Sequence, residues 1–90
     1  MFYLYMIKNN ANKIYIGVTK NISKRIYSHN TNQGANFTKN KSDFGLVFQE
    51  KYDTLKEARQ REIQTKKWRR EKKEMLIERY SRGLETKIAI

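Results

Sequence analysis

The stretch FYLYMIKNNANKIYIGV, residues 2–18, decides the fold. Its two ends, residues 2–7 and 14–18, are runs of β-favouring residues. The segment KNNANK between them is rich in asparagine, which tolerates the left-handed conformations of tight turns. The stretch therefore predicts an antiparallel hairpin. Each strand carries a tyrosine, Tyr5 or Tyr15, where an all-apolar core would take Val or Ile, and Gly17 indicates a bulge or a close approach of another group to the backbone.

Four further elements follow the hairpin, and a polar loop over residues 31–43 separates the first two of them. They are a helix over 21–30 capped by Asn21, a strand over 44–52, a helix opened by the capping box at 54–57, and a last helix that breaks away near 69–70 and ends before Gly83. The predicted order is β-β-α-β-α-α, a single α/β (α+β) domain. Residues 84–90 are expected either to dock on this domain or to fray.

The charge of the chain indicates a polyanionic partner. Twenty Lys and Arg residues against nine Asp and Glu give a net charge of +11 on 90 residues, so nucleic acid is the expected partner. An anionic membrane surface has less support, because no helix shows a broad apolar face and no apolar run is long enough to span a bilayer. The absence of cysteine excludes disulfides and thiolate zinc sites. The N-terminus does not resemble a signal peptide, and we expect a cytoplasmic protein.

Five residues carry groups suited to phosphodiester cleavage, which needs a base, a cation and usually a divalent metal. They are Tyr5, Tyr15, Arg25, His29 and Glu62. Taken singly, each has a structural explanation: the tyrosines as amphipathic strand residues, Arg25 and His29 as a solvated helix face, and Glu62 as the ion-pair partner of Lys66. The residues alone therefore predict a basic nucleic-acid binder and no more.

The ordered set of motifs resembles the GIY-YIG nuclease superfamily. The second family motif is intact as Tyr15-Ile16-Gly17, whereas the first, Tyr3-Leu4-Tyr5, matches at its final tyrosine and has Tyr3 in place of glycine. The segments GANFT at 34–38 and EARQRE at 57–62 are also similar to the family. The likeness covers about residues 2–78. It is strongest to small stand-alone members and includes the N-terminal nuclease domain of the bacterial excision-repair incision subunit.

The resemblance implies a three-stranded antiparallel sheet flanked by helices, with the two motif tyrosines facing a cleft. It implies a nuclease-like domain over residues 1–82, with a tail at 83–90. Glu62 would hold one Mg²⁺ or Mn²⁺ ion, and Arg25 would bind the scissile phosphate. Tyr5 would be the base for the attacking water, if nearby positive charge lowers its pKa. Tyr15 and His29 would tune or relay the proton, or His29 would contact phosphate.

The function implied is a metal-dependent DNA endonuclease that leaves a 5′-phosphate and a 3′-hydroxyl, with RNA left open as a substrate. Gly17 would let the nucleic-acid backbone pass close to the site, and a set of basic residues would hold phosphates without reading sequence. These residues are Lys39, Lys41, Lys66, Lys67, Arg69 and Arg70. We expect a non-specific or structure-specific enzyme, with DNA repair or recombination as its setting and a partner protein or homodimer as possible assemblies. The alternative is a non-catalytic nucleic-acid-binding module on the same fold.

Overall fold

The computed structural model describes residues 1–32 and 44–88, which form three strands and three helices. The strands are β1 (Phe2–Lys8), β2 (Ile14–Thr19) and β3 (Gly45–Tyr52). The helices are α1 (Ile22–Asn32), α2 (Leu55–Lys66) and α3 (Arg70–Ser81). The order β-β-α-β-α-α and the predicted α+β fold class are confirmed. None of the helices in the described part has the length and apolarity that a bilayer crossing needs.

The strands form an antiparallel sheet in the order β2-β1-β3, so β1 lies in the centre. The turn between β1 and β2 is built by asparagines, as predicted. The side chain of Asn9 accepts hydrogen bonds from the backbone N–H groups of Ala11 and Lys13, at 3.1 and 2.9 Å, and Asn12 has a positive φ of 66°. Of the two alternatives for Gly17, a bulge does not occur, because the β1–β2 register is continuous; the register shift lies between β1 and β3, at Met6 and Ile7.

The two faces of the sheet serve different purposes, because side chains alternate along each strand. One face holds the apolar core, in which Leu4 and Met6 of β1 pack with residues of β2, β3, α2 and α3. The other members of this cluster are Ile16, Val18, Phe48, Ala58 and Leu76. Tyr5, between Leu4 and Met6, points to the opposite face, where α1 contacts β1.

Helix ends follow the predicted caps. Asn21 accepts a hydrogen bond from the N–H of Lys24 at 3.0 Å, and Thr54 accepts one from Glu57 at 3.2 Å. Helix α1 continues two residues beyond the predicted end at Asn30. Leu55 lies on the same helical stripe of α2 as the buried Ala58 by spacing, but it is 44% exposed. Gly83 follows α3 with a φ of 74°, as expected of a residue that ends a helix.

The segment after α3 docks on the domain through residue 88. Arg61 donates a hydrogen bond to the carbonyl oxygen of Thr86 at 2.9 Å, and Lys87 donates one to the carbonyl oxygen of Lys51 at 2.6 Å. Thr86 is buried as a result. Of the two alternatives for this segment, docking is therefore the one that the structure supports for residues 84–88.

Candidate active site

Three of the predicted site residues meet at the hydroxyl oxygen of Tyr5. Tyr5 lies in the middle of the central strand and is fully buried. The Nε of Arg25 donates a hydrogen bond to this oxygen at 3.3 Å, and the Nε2 of His29 lies 3.4 Å from it. Since the hydroxyl accepts from Arg25, its own proton is free to point at His29 Nε2. Arg25 and His29 reach the same oxygen because they are four residues apart on one face of α1, as predicted.

Tyr15 joins the cluster at its solvent side. Its ring lies 4.5 Å from the His29 ring in an edge-to-face arrangement and 6.5 Å from the Tyr5 ring, measured between centroids. Tyr15 is 43% exposed, whereas Tyr5 has no exposed surface. The two tyrosines are thus neighbours, but they are not equivalent. Tyr15 is open to a ligand, and Tyr5 is reached through Arg25, His29 and Tyr15.

Gly17 makes room for the Tyr5 side chain. The two residues are directly opposite in the β1–β2 register, and a Cβ at position 17 would lie 2.6 Å from the Tyr5 hydroxyl oxygen. The close approach anticipated at Gly17 is therefore confirmed, and the approaching group is Tyr5. The predicted contact between Gly17 and nucleic acid stays a prediction.

Asn30 is a positioning residue that was not among the predicted site residues. Its side-chain amide exchanges two hydrogen bonds with the backbone of Phe44: the Phe44 N–H donates to Oδ1 at 2.8 Å, and Nδ2 donates to the Phe44 carbonyl at 3.1 Å. The Phe44 ring in turn lies 5.7 Å from the His29 ring. Asn30 thereby ties α1 to the start of β3 beside the candidate site. The family-like pair His29-Asn30 in the sequence is the signal that could have identified it.

Burial sets the protonation states in the cluster. Burial raises the pKa of Tyr5, and the lowering effect of Arg25 does not offset it, while the charges of Tyr15 and Glu62 raise it further. Tyr5 is therefore a neutral phenol near pH 7. Burial, followed by the positive charge of Arg25, lowers the pKa of His29, so the imidazole is neutral at the same pH and able to accept a proton. Tyr5 was expected to act as the base if nearby positive charge lowers its pKa. These residues alone do not lower it.

Glu62 is a buried and ionised carboxylate on α2, with 8% of its surface exposed. Burial opposes ionisation, but hydrogen bonds from Arg59 and Lys66 outweigh it and hold the pKa of Glu62 below its usual value. The Arg59 Nη1 lies 2.9 Å from Oε1, and the Lys66 Nζ lies 3.2 Å from Oε2. The ion pair with Lys66 is the one that the i,i+4 spacing predicts. The pair with Arg59 was missed, although its i,i+3 spacing is visible in the sequence.

Glu62 offers one carboxylate as a ligand for a divalent cation. Within residues 1–32 and 44–88, no group of three or more His, Cys, Asp or Glu side chains could hold a metal ion. Mg²⁺ binds through one or two carboxylates and retains several waters, so a single ionised glutamate fits it. An incoming cation would have to share the Glu62 carboxylate with Arg59 and Lys66.

The predicted phosphate-binding residues differ in how they are engaged. Lys66 is paired with Glu62, and Arg70 is paired with Glu74 and donates to the carbonyl oxygen of Asn12 at 2.6 Å. Lys67 and Arg69 are exposed between α2 and α3. Lys39 and Lys41, like the GANFT segment, lie outside the described residues, and their contacts with DNA stay predictions.

Comparison with known proteins identifies relatives of this chain. Residues 1–75 match the sequence profile of the GIY-YIG catalytic domain. The chain is 44% identical over 75 residues to the UPF0213 protein SSP2268 of Staphylococcus saprophyticus, an alignment that covers 83% of this chain and 92% of that protein. It is 39% identical over 75 residues to the UPF0213 protein of Staphylococcus aureus strain Mu3, with the same coverage.

A solved structure shows the same fold. The solution NMR structure of the UPF0213 protein BH0048 from Bacillus halodurans superposes with a TM-score of 0.56 at 30% sequence identity. The superposition covers 87% of this chain and 84% of that one. With the family profile matched over most of the chain and the fold shared with a relative, the chain belongs to the GIY-YIG family, as a small single-domain member.

Proposed function

We propose that this chain is a divalent-metal-dependent endonuclease that hydrolyses phosphodiester bonds in DNA. GIY-YIG domains are nuclease domains and are generally dependent on divalent metal ions, and their substrate is nucleic acid. The observation that carries the proposal for this chain is the meeting of Arg25 and His29 at the buried hydroxyl of Tyr5. The net charge of +11 supports DNA as the ligand, held through its phosphates without readout of sequence.

Arg25 is the candidate phosphate ligand. Arg25 is exposed and its Nε donates to Tyr5, while within residues 1–32 and 44–88 no hydrogen bond or ion pair holds its two terminal nitrogens, which can therefore face a phosphate. A planar guanidinium fork matches the geometry of phosphate oxygens. The hydrogen bond to Tyr5 fixes the direction of the fork, so that Arg25 holds the scissile phosphate beside the tyrosine.

The proton of the attacking water has a path through neutral groups. The Tyr5 oxygen takes the proton from water while the Tyr5 proton passes to His29 Nε2, which leaves an imidazolium and a hydroxide positioned for attack. The raised pKa of Tyr5 and the lowered pKa of His29 support this division, in which the imidazole is the final acceptor. Tyr15 closes the exposed side of the imidazole.

Glu62 is the candidate metal ligand. A divalent ion held there would supply positive charge to the phosphate oxygens and to the leaving 3′ oxygen. The ionised state of the carboxylate and its electrostatic effect on Tyr5 support this role. The occupation of both carboxylate oxygens by Arg59 and Lys66 favours the second candidate, a non-catalytic DNA-binding module. Residues 1–82 are the proposed domain in either case, and repair or recombination is the proposed setting.

Nicking of supercoiled plasmid with Mg²⁺, with Mn²⁺ and with EDTA tests the proposal, together with labelled flap and branched oligonucleotides. We expect metal-dependent nicking that Glu62→Gln and Arg25→Ala each reduce by about a hundredfold or more. Glu74→Gln is the matched control for the carboxylate, because Glu74 is likewise held by two cations, Lys8 and Arg70. Arg82→Ala, an exposed arginine paired with Glu78, is the control for Arg25.

Nicking that survives Glu62→Gln, or that Glu74→Gln removes equally, would overturn the assignment of the site. DNA binding that weakens with salt, with no cleavage on any of these substrates by the wild-type chain, would favour the binding module instead. Circular dichroism of all four variants verifies that they fold before activity is compared.

A further inference from the structure

The positive charges of this chain differ in whether a carboxylate already neutralises them. Each ion pair of the described residues includes at least one residue of α2 or α3, and in these pairs four glutamates hold six cations. These pairs are Glu50 with Arg61, Glu62 with Arg59 and Lys66, Glu74 with Lys8 and Arg70, and Glu78 with Arg82. At the start of α1 the situation is the reverse: within residues 1–32 and 44–88, no carboxylate pairs with Lys20, Lys24 or Lys51.

These three lysines line two adjoining cavities that share Lys20 and Asn21, and we treat the two cavities together as one groove beside the candidate active site. Its larger part, about 590 Å³, lies between the start of α1 and the sheet, and Lys20, Asn21 and Lys51 contribute to its walls. Lys20 and Asn21 also border an adjoining part of about 230 Å³, whose walls include Lys24 and Arg25. The groove therefore runs from Arg25, which contacts Tyr5, past the first turn of α1 to Lys51 on β3.

The lining of this groove suits an anion. Its described walls contain ammonium, amide, hydroxyl and phenol groups and no carboxylate, with Ser23 and Tyr3 among them. The first turn of α1 contains no acidic residue, so no side chain of the helix offsets the positive end of its dipole. Lys20 is held in place by the Phe2 ring, with its Nζ 5.3 Å from the ring centroid. Lysines along a path of this kind match the spaced charges of a phosphodiester backbone.

We propose that this groove binds the sugar-phosphate backbone next to the scissile phosphate, in the order Arg25, Lys24, Lys20 and Lys51. The proposal rests on the proposed function, because it takes the phosphate at Arg25 as its starting point. The proposal places the main phosphate contacts at the start of α1 and not on the basic segment at 66–73. The nucleic acid then crosses the face of the sheet that carries Tyr3 and Tyr5, and leaves past β3.

Salt-dependent binding of a short fluorescein-labelled DNA duplex, measured by anisotropy in EDTA so that no cleavage occurs, tests the path. The variant is Lys20→Gln/Lys51→Gln. The matched control is Lys67→Gln/Arg69→Gln, which removes the same charge from exposed residues of the 66–73 segment. Each lost phosphate contact lowers the slope of log K against log[salt] by about 0.9. We expect the groove variant to lose about two units of slope and to bind roughly tenfold or more weakly at ~0.1 M salt, and the control to lose less than half as much.

Each outcome has a separate meaning. Equal losses in the two double variants, or a larger loss in the Lys67/Arg69 control, would overturn the groove path and leave the proposed nuclease in place. Wild-type protein that fails to bind the duplex in a salt-dependent way would overturn both. Thermal unfolding of the two variants shows whether folding is intact, and Lys20→Arg/Lys51→Arg, which keeps the charge, should restore the slope if the lysines act through phosphate contacts.

Discussion

Replacing Gly17 with alanine should displace the Tyr5 side chain and so disturb the candidate site. The new Cβ would lie 2.6 Å from the Tyr5 hydroxyl oxygen and 2.8 Å from Cζ, whereas ordinary van der Waals contact begins at 3.4 Å. The hydroxyl must therefore retreat by about 0.8 Å. The Tyr5 ring has no exposed surface and its hydroxyl is held by Arg25 and His29, so the ring cannot turn aside freely.

The cost follows from this crowding. Overpacking of a well-packed site costs about 1–3 kcal/mol, and the lower backbone entropy of alanine in the unfolded chain offsets less than about 1 kcal/mol of it. We expect Gly17→Ala to lower the free energy of unfolding by about 1–2 kcal/mol, which in a domain of this size lowers Tm by roughly 5–15 °C. If Tyr5 takes part in the proposed cleavage, a displacement of nearly 1 Å should slow nicking by about a hundredfold.

Denaturant unfolding and plasmid nicking of four variants measure these effects: Gly17→Ala, Gly45→Ala, Tyr5→Phe and Tyr5→Phe/Gly17→Ala. Gly45→Ala is the matched control, since a Cβ at position 45 on β3 would meet nothing within 4 Å, and its stability should change by less than about 0.5 kcal/mol. In a Tyr5→Phe background the nearest atom is gone, so Gly17→Ala should cost about 0.5–1 kcal/mol less than in the wild type. A Gly17→Ala protein as stable as Gly45→Ala, or a cost that does not depend on the Tyr5 hydroxyl, would refute the reasoning.

Two further predictions concern the buried charges. His29 is the single histidine, so an NMR titration of its ring reports one pKa, which burial and Arg25 should hold below 6.5; a midpoint at or above 6.5 would contradict the structure. With a lowered pKa in the folded state, the unfolded chain binds more protons at His29 than the folded chain does. The stability that neutral His29 provides is therefore complete above pH ~6.5 and is lost as the pH falls through the folded pKa. His29→Asn should flatten the dependence of the free energy of unfolding on pH in that window. Glu50→Gln should lower the free energy of unfolding by about 3 kcal/mol, since it leaves the buried guanidinium of Arg61 without a charged partner. Glu78→Gln, which breaks an exposed pair, should cost less than about 1 kcal/mol. Equal costs in urea unfolding would show that burial of the Arg61–Glu50 pair is unimportant.

The fold was predictable because its signals are local. The turn residues Asn9 and Asn12 and the caps Asn21 and Thr54 act within a few residues of their own positions, and each does what its sequence context predicts. The exposure of Leu55, by contrast, is not a local property. Helical spacing places Leu55 on the same stripe as the buried Ala58, but spacing does not show where along the helix the sheet ends.

The sequence predicted which candidate residues lie together, but it did not predict the effect of their surroundings on the Tyr5 pKa. Tyr5, Arg25 and His29 were brought together by the family-like spacing, and the structure places them in contact. The state of Tyr5 depends on the cross-strand register that sets it against Gly17 and beneath α1, which is a property of tertiary packing. Positive charge from Arg25 is present as anticipated, yet burial has the larger effect on the Tyr5 pKa, so the imidazole becomes the better proton acceptor.

The order of residues in the sequence does not show which Lys and Arg side chains are left unpaired by carboxylates. Residues 66–73 contain the densest run of Lys and Arg, but a dense run on a helix also brings its members within i,i+4 reach of glutamates, and Lys66 and Arg70 are neutralised in this way. Lys20 and Lys51 are 31 positions apart in the sequence and resemble isolated surface charges. They border one groove because α1 begins beside the sheet, and among the described residues no carboxylate forms an ion pair with either of them. Phosphate binding depends on charges that are both adjacent in space and unpaired, and a sequence reveals neither condition directly.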